Sequence, residues 1–145
     1  MDASQISQGI ASLSSWIDQA NAGRDPEALA WSRLAKITEE AGEVVAAYIG
    51  ATGQNPRKGV THSVEDVEGE LLDVAITALA ALEHLRGNPG NSVEAMSLKL
   101  ASTLERAGLP VPEHTATPVI PHDAGTVPER RTIRLFPDYG RDWPL

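Results

Sequence analysis

Glu39-Glu40-Ala41-Gly42-Glu43 and Glu70-Leu71-Leu72-Asp73 are the two stretches on which the reading of this chain turns. Within each, two acids stand three residues apart: Glu40 with Glu43, and Glu70 with Asp73. On a helix such residues are surface neighbours, so each pair can point both carboxylates at one spot. Four acids meeting on a seam between two helices repel one another unless a cation neutralises them. An all-oxygen donor set is the kind that Mg²⁺ or Mn²⁺ prefers, and Mg²⁺ is usually shared with the phosphates of a ligand. The two stretches therefore predict two packed helices and a metal site between them.

The flanking sequence supports helices on both sides. Asp25-Pro26-Glu27 supplies an N-cap, a proline for the first turn and an acid near the positive end of the dipole. From there Leu34, Ile37, Ala41, Val44, Val45 and Tyr48 form an apolar face with Glu40 at its edge. Gly53 to His62 has loop chemistry and carries the adjacent cations Arg57 and Lys58. Ser63, with Asp66 three residues on, opens the helix that carries Glu70 and Asp73 beside Val67, Leu71, Val74, Ala78 and Leu85, and Gly87 ends it. An earlier helix is expected from Ser4 to about Asn21 on the stripe Ile6, Ile10, Leu13 and Ile17, with Asn21-Ala22-Gly23 as its stop. A shorter fourth, capped by Ser92, carries Val93, Met96, Leu100 and Leu104 and ends at Gly108.

The expected architecture is all-α, a helical domain of about four helices over 1–108. Seven of the ten prolines lie between Leu109 and Leu145, which argues against any long helix there. The 109–145 segment is expected to be a proline-rich extended arm. Near its end Ile133, Leu135, Phe136, Tyr139 and Trp143 mingle with Arg130, Arg131, Arg134 and Arg141, an arrangement suited to packing on the helices or on a neighbouring subunit.

Composition narrows the class. A chain of 145 residues is long enough for one domain with a modest core. No apolar run approaches the length of a membrane span, and the first residues lack the pattern of a secretory signal. With no cysteine there can be no disulfide or thiolate metal site, and a cytoplasmic location is the simple expectation. A formal charge of −8 argues against a general binder of nucleic-acid polymers. It leaves room for a small anionic ligand, because a bound divalent cation reverses the local sign.

The pattern Glu40-x-x-Glu43, a spacer of 26 residues and then Glu70-x-x-Asp73 resembles the signature of the MazG-like all-α nucleoside triphosphate pyrophosphohydrolases. Glu39 extends it to the Glu-Glu-x-x-Glu form common in that family. The likeness covers roughly Trp31 to Leu85, more weakly the fourth helix, and not the tail. It implies a helical bundle that forms a homodimer or homotetramer, with the site close to the subunit interface. It also implies Mg²⁺-dependent cleavage of a (deoxy)nucleoside triphosphate to monophosphate and pyrophosphate, with Mn²⁺ as an alternative ion. By motif position Glu40, Glu43, Glu70 and Asp73 would be the metal ligands. Glu39 would bind a second metal or orient the attacking water. Lys36, Arg57 and Lys58 are candidates for the phosphates, with Lys99 and Arg106 behind them, and Trp31 for stacking on a base. Related enzymes acting on phosphoribosyl-ATP, dUTP or dCTP share the bundle, as do relatives that have lost their chemistry and serve as helical interaction proteins.

Each residue also has a plainer reading. The acids could form a solvated face paired along the helix, but only Glu40, with Lys36, has a cation four residues away. Arg57 and Lys58 fit an ordinary exposed loop, and Lys36 is explained by its pairing with Glu40. A tryptophan such as Trp31 is more often a packing or interface residue than a base platform. His62 and His84 lack ligand spacing and receive no role.

Overall fold

The computed structural model describes residues 1–112, and they form four helices with no strand among them. These are α1 (Ala3–Ala20), α2 (Pro26–Thr52), α3 (Val64–Arg86) and α4 (Ser92–Arg106). The compact helical unit spans Met1–Val111. The arm expected from Leu109 onward lies outside the described residues beyond Pro112.

Local chemistry sets most helix ends where the sequence places them. Asp25 accepts from the Ala28 N–H ahead of Pro26 at the first turn. Ser63 and Asp66 form a reciprocal capping box at the start of α3, with the Ser63 N–H donating to Asp66 at 2.8 Å. Gly53 and Gly87 close α2 and α3 in the left-handed region, at φ 64° and 79°. A second capping box, Asp2 with Gln5, starts α1.

The start of α4 differs from expectation. Ser92 is its first residue rather than its cap, and the cap position, Asn91, makes no side-chain capping bond. The capping group comes instead from α3. Glu83, 1% exposed, accepts from the N–H groups of Gly90 (2.9 Å) and Ser92 (2.7 Å). A negative charge at a helix N-terminus, fed by backbone donors, satisfies the otherwise orphaned first turn. Burial raises the Glu83 carboxyl's pKa, but bonds from Gly90, Ser92 and Asn91 outweigh it and hold the group below its ordinary value.

Helix α3 is the centre of the unit, packing against α2, α1 and α4. It can do so because it is rich in small residues; Ala80 and Ala81 are fully buried. Between α2 and α3 the chain folds back, and the Thr61 N–H donates to the Gly50 carbonyl at 3.0 Å. Gly50 is needed there, since a Cβ at that position would run into the imidazole of His62 and the Thr61 hydroxyl. The two helices therefore run antiparallel, which brings Glu43 of one level with Glu70 of the other.

The buried faces follow the apolar stripes only in part. On α2 the chain buries Leu29, Arg33, Glu40, Ala47 and Gly50, while Val45 (58% exposed) and Tyr48 (55%) stay open. On α1 it buries Ser7, Ile10, Ala11 and Ser14 and leaves Ile6 and Leu13 exposed. Leu71 and Leu72 of α3 and Met96 and Leu100 of α4 are exposed as well. Among the described residues the core is thus thin and partly polar, and many of the larger apolar side chains are exposed.

Candidate metal centre

Glu40, Glu43 and Glu70 each present a carboxylate oxygen within 4.8 Å of the others. Two come from consecutive turns of α2 and the third crosses the seam from α3. Glu40 is the buried member at 8% exposure, Glu70 is half-buried and Glu43 is exposed, so the cluster opens to solvent on one side. Three such oxygens can supply half of a six-oxygen shell, with water or phosphate oxygens to complete it.

The electrostatics register the crowding. A hydrogen bond with Glu40, the charge of Glu40 and that of Glu70 raise the pKa of Glu43 above its ordinary value of 4.5.

One cation stands at the rim. The ammonium of Lys36 is 2.9 Å from Glu40 Oε1 and 3.0 Å from Glu39 Oε2, on the same face of α2. These two hydrogen bonds raise the Lys36 pKa well above its usual value. Glu39 is occupied with Lys36 and does not join the three clustered acids, and neither does Asp73, which is exposed one turn further along α3. The structure therefore brings together three of the four ligands suggested by the motif. Arg57 and Lys58 lie exposed in the loop after α2, where Asn55 organises the backbone by accepting from the Arg57 and Lys58 N–H groups. Trp31 is 66% exposed, three turns before the cluster on α2.

A second polar centre has no counterpart in the sequence reading. Asp18 of α1 accepts from Arg33 of α2 and from Asn88 Nδ2 at 3.0 Å, and lies 2.9 Å from His84 Nδ1 of α3. Arg33, 7% exposed, also donates to the Ser14 carbonyl at 2.7 Å. Burial pushes the Asp18 pKa up, but the bonds from His84, Arg33 and Asn88 prevail and hold it at about 2. The partners are 15 and 70 residues away for Arg33 and Asn88, so no local motif announces them. The one available signal is an arginine on the face of α2 that turns inward.

No protein family, curated protein or solved structure matches the chain.

Proposed function

We propose that this chain is a divalent-metal-dependent nucleoside triphosphate pyrophosphohydrolase in which Glu40, Glu43 and Glu70 hold the metal. The observation that carries the reading is the convergence of these three carboxylates on one side of the α2–α3 seam, with the Glu43 pKa raised by its neighbours. A divalent cation, when bound, supplies charge neutralisation on the phosphate oxygens and a bound water of lowered pKa. Its donors would be Glu40, Glu43 and Glu70, with Mg²⁺ or Mn²⁺ favoured by the oxygen-only set. Glu39 and Asp73, beside the cluster, are the remaining acids able to accept a proton from an attacking water. Lys36 at the rim, and Arg57 and Lys58 in the following loop, are the cations we propose for the triphosphate. Trp31 offers an exposed ring for a base.

The exposed apolar side chains of α2 and α3 support assembly into a homodimer or homotetramer, since Val45, Tyr48, Leu71 and Leu72 stay open among the described residues. The same observation favours a second reading, a catalytically silent helical interaction protein whose working surface is that apolar face.

The two readings separate in one experiment. The purified protein is incubated with ribo- and deoxyribonucleoside triphosphates in Mg²⁺, Mn²⁺ or EDTA, and the products are resolved. Monophosphate plus pyrophosphate, abolished by EDTA, is the expected result and ranks bases and sugars at once. Diphosphate plus phosphate would retain the metal but reject the bond assignment. No turnover in a folded sample would favour the interaction protein.

A further inference from the structure

We infer that Lys36 is a built-in counter-ion that competes with the divalent cation for Glu40, so that it sets the affinity of the metal site. The inference rests on the metal reading above and concerns how that site is regulated. Two distances carry it: the Lys36 ammonium sits 2.9 Å from Glu40 and 3.0 Å from Glu39. Glu40 is also the most buried of the three clustered acids. An ammonium this close to Glu40 Oε1 occupies the approach to that oxygen. It also repels a second cation arriving there, with a force that falls slowly over a few ångströms.

Lys36 therefore has two states. Without a divalent cation it neutralises Glu40 and Glu39, and part of the cluster's repulsion is relieved from within the chain. With the cation in place Lys36 must swing off Glu40, which its position permits, since its side chain is 46% exposed and only the two acids hold it. The ammonium, once released, is a free cation at the rim of the site on a flexible four-carbon stem, available to a phosphate oxygen of the triphosphate. The outcome is an exchange in which the protein's own cation gives way to a metal and then serves the substrate. Among the described residues Glu43 and Glu70 make no ion pair, so the direct competition acts through Glu40.

The test is the affinity for Mn²⁺ alone, followed by electron paramagnetic resonance or calorimetry on the full chain, for wild type, Lys36→Met and Lys36→Arg. Methionine matches lysine in length and helix propensity, so the fold is expected to hold, and circular dichroism checks it. Lys36→Met should bind Mn²⁺ roughly fivefold more tightly, in line with the strength of exposed ion pairs, while Lys36→Arg stays near wild type. At saturating Mg²⁺ the methionine variant should bind inorganic triphosphate more weakly, the opposite sign. Unchanged or weaker Mn²⁺ binding in Lys36→Met, beside a wild type that binds, overturns the competition while leaving the metal site standing. Unchanged triphosphate binding overturns the hand-over to substrate. Absence of saturable Mn²⁺ binding in wild type and both variants would overturn the metal reading itself, and this inference with it.

Discussion

Two carboxylate centres in one helical unit are built in opposite ways. Around Asp18 the acid is matched: Arg33, His84 and Asn88 converge on its oxygens, and its pKa falls to about 2. Around Glu43 acids meet acids: Glu40 and Glu70 crowd it and its pKa rises. The first arrangement matches the acid with donors and ties α1 to α2 and α3. In the second, Lys36 at the rim is the one cation paired with the cluster among the described residues. A carboxylate that is satisfied holds a fold together, and a cluster that is not is available to a ligand.

The contrast can be broken from the crowded side. Glu43→Gln or Glu70→Gln keeps shape but removes a charged donor, and should lower pyrophosphohydrolase turnover by about 100-fold or more. The measurement is steady-state pyrophosphate release at saturating Mg²⁺, with circular dichroism to show an intact fold. The matched side should respond in stability instead. Asp18→Ala strands the buried guanidinium of Arg33 and frees Asn88, and should destabilise the unit by about 3 kcal/mol in urea denaturation. A variant at Asp18 that loses metal affinity without losing stability would erase the distinction between the two centres.

Acidification sharpens the comparison, because the two centres carry opposite signs. Asp18 titrates at about 2 when folded against 3.8 when unfolded, so the unfolded chain takes up that proton first. Its stabilisation, about 2 kcal/mol, is whole above pH 3.8 and is lost as pH falls through about 2. Glu43 is raised above 4.5, so the folded chain takes up its proton first. Its contribution favours folding at low pH and is lost as pH rises from 4.5 through the raised value. Thermal melts of wild type and Asp18→Asn between pH 2 and 7 should therefore converge at the acid end. In the smallest effect, Glu43→Gln should melt slightly higher than wild type at pH 7 in EDTA, and this advantage should vanish with Mn²⁺.

The legibility of these features follows from their range along the chain. Asp25-Pro26, the Ser63–Asp66 box and Gly87 act on their own helix ends, so the sequence locates α2 and α3 closely. The pairing of Glu40 with Glu43 is local too, and only Glu70 had to be brought in across the seam. Spacing could not show that Asp73 would lie outside the cluster, because three residues on a helix define a neighbourhood and not an aim. The Asp18 centre and the Glu83 cap of α4 join segments distant in sequence, and left no motif to find. The apolar stripes were misleading in a specific sense. Periodicity finds the face of α2 that carries Val45 and Tyr48 but does not say what covers it, and among the described residues it stays exposed. Arg33 and Glu40 occupy the buried face instead, which binary patterning alone would have placed in solvent.

The most direct test of the account is a crystal of the full chain soaked in Mn²⁺ and examined by anomalous diffraction. It predicts a peak within about 2.3 Å of carboxylate oxygens from Glu40, Glu43 and Glu70, near the usual distance for a hard divalent cation, with the Lys36 ammonium moved off Glu40. An anomalous map with no peak at these three residues, in protein that binds Mn²⁺ in solution, would contradict it.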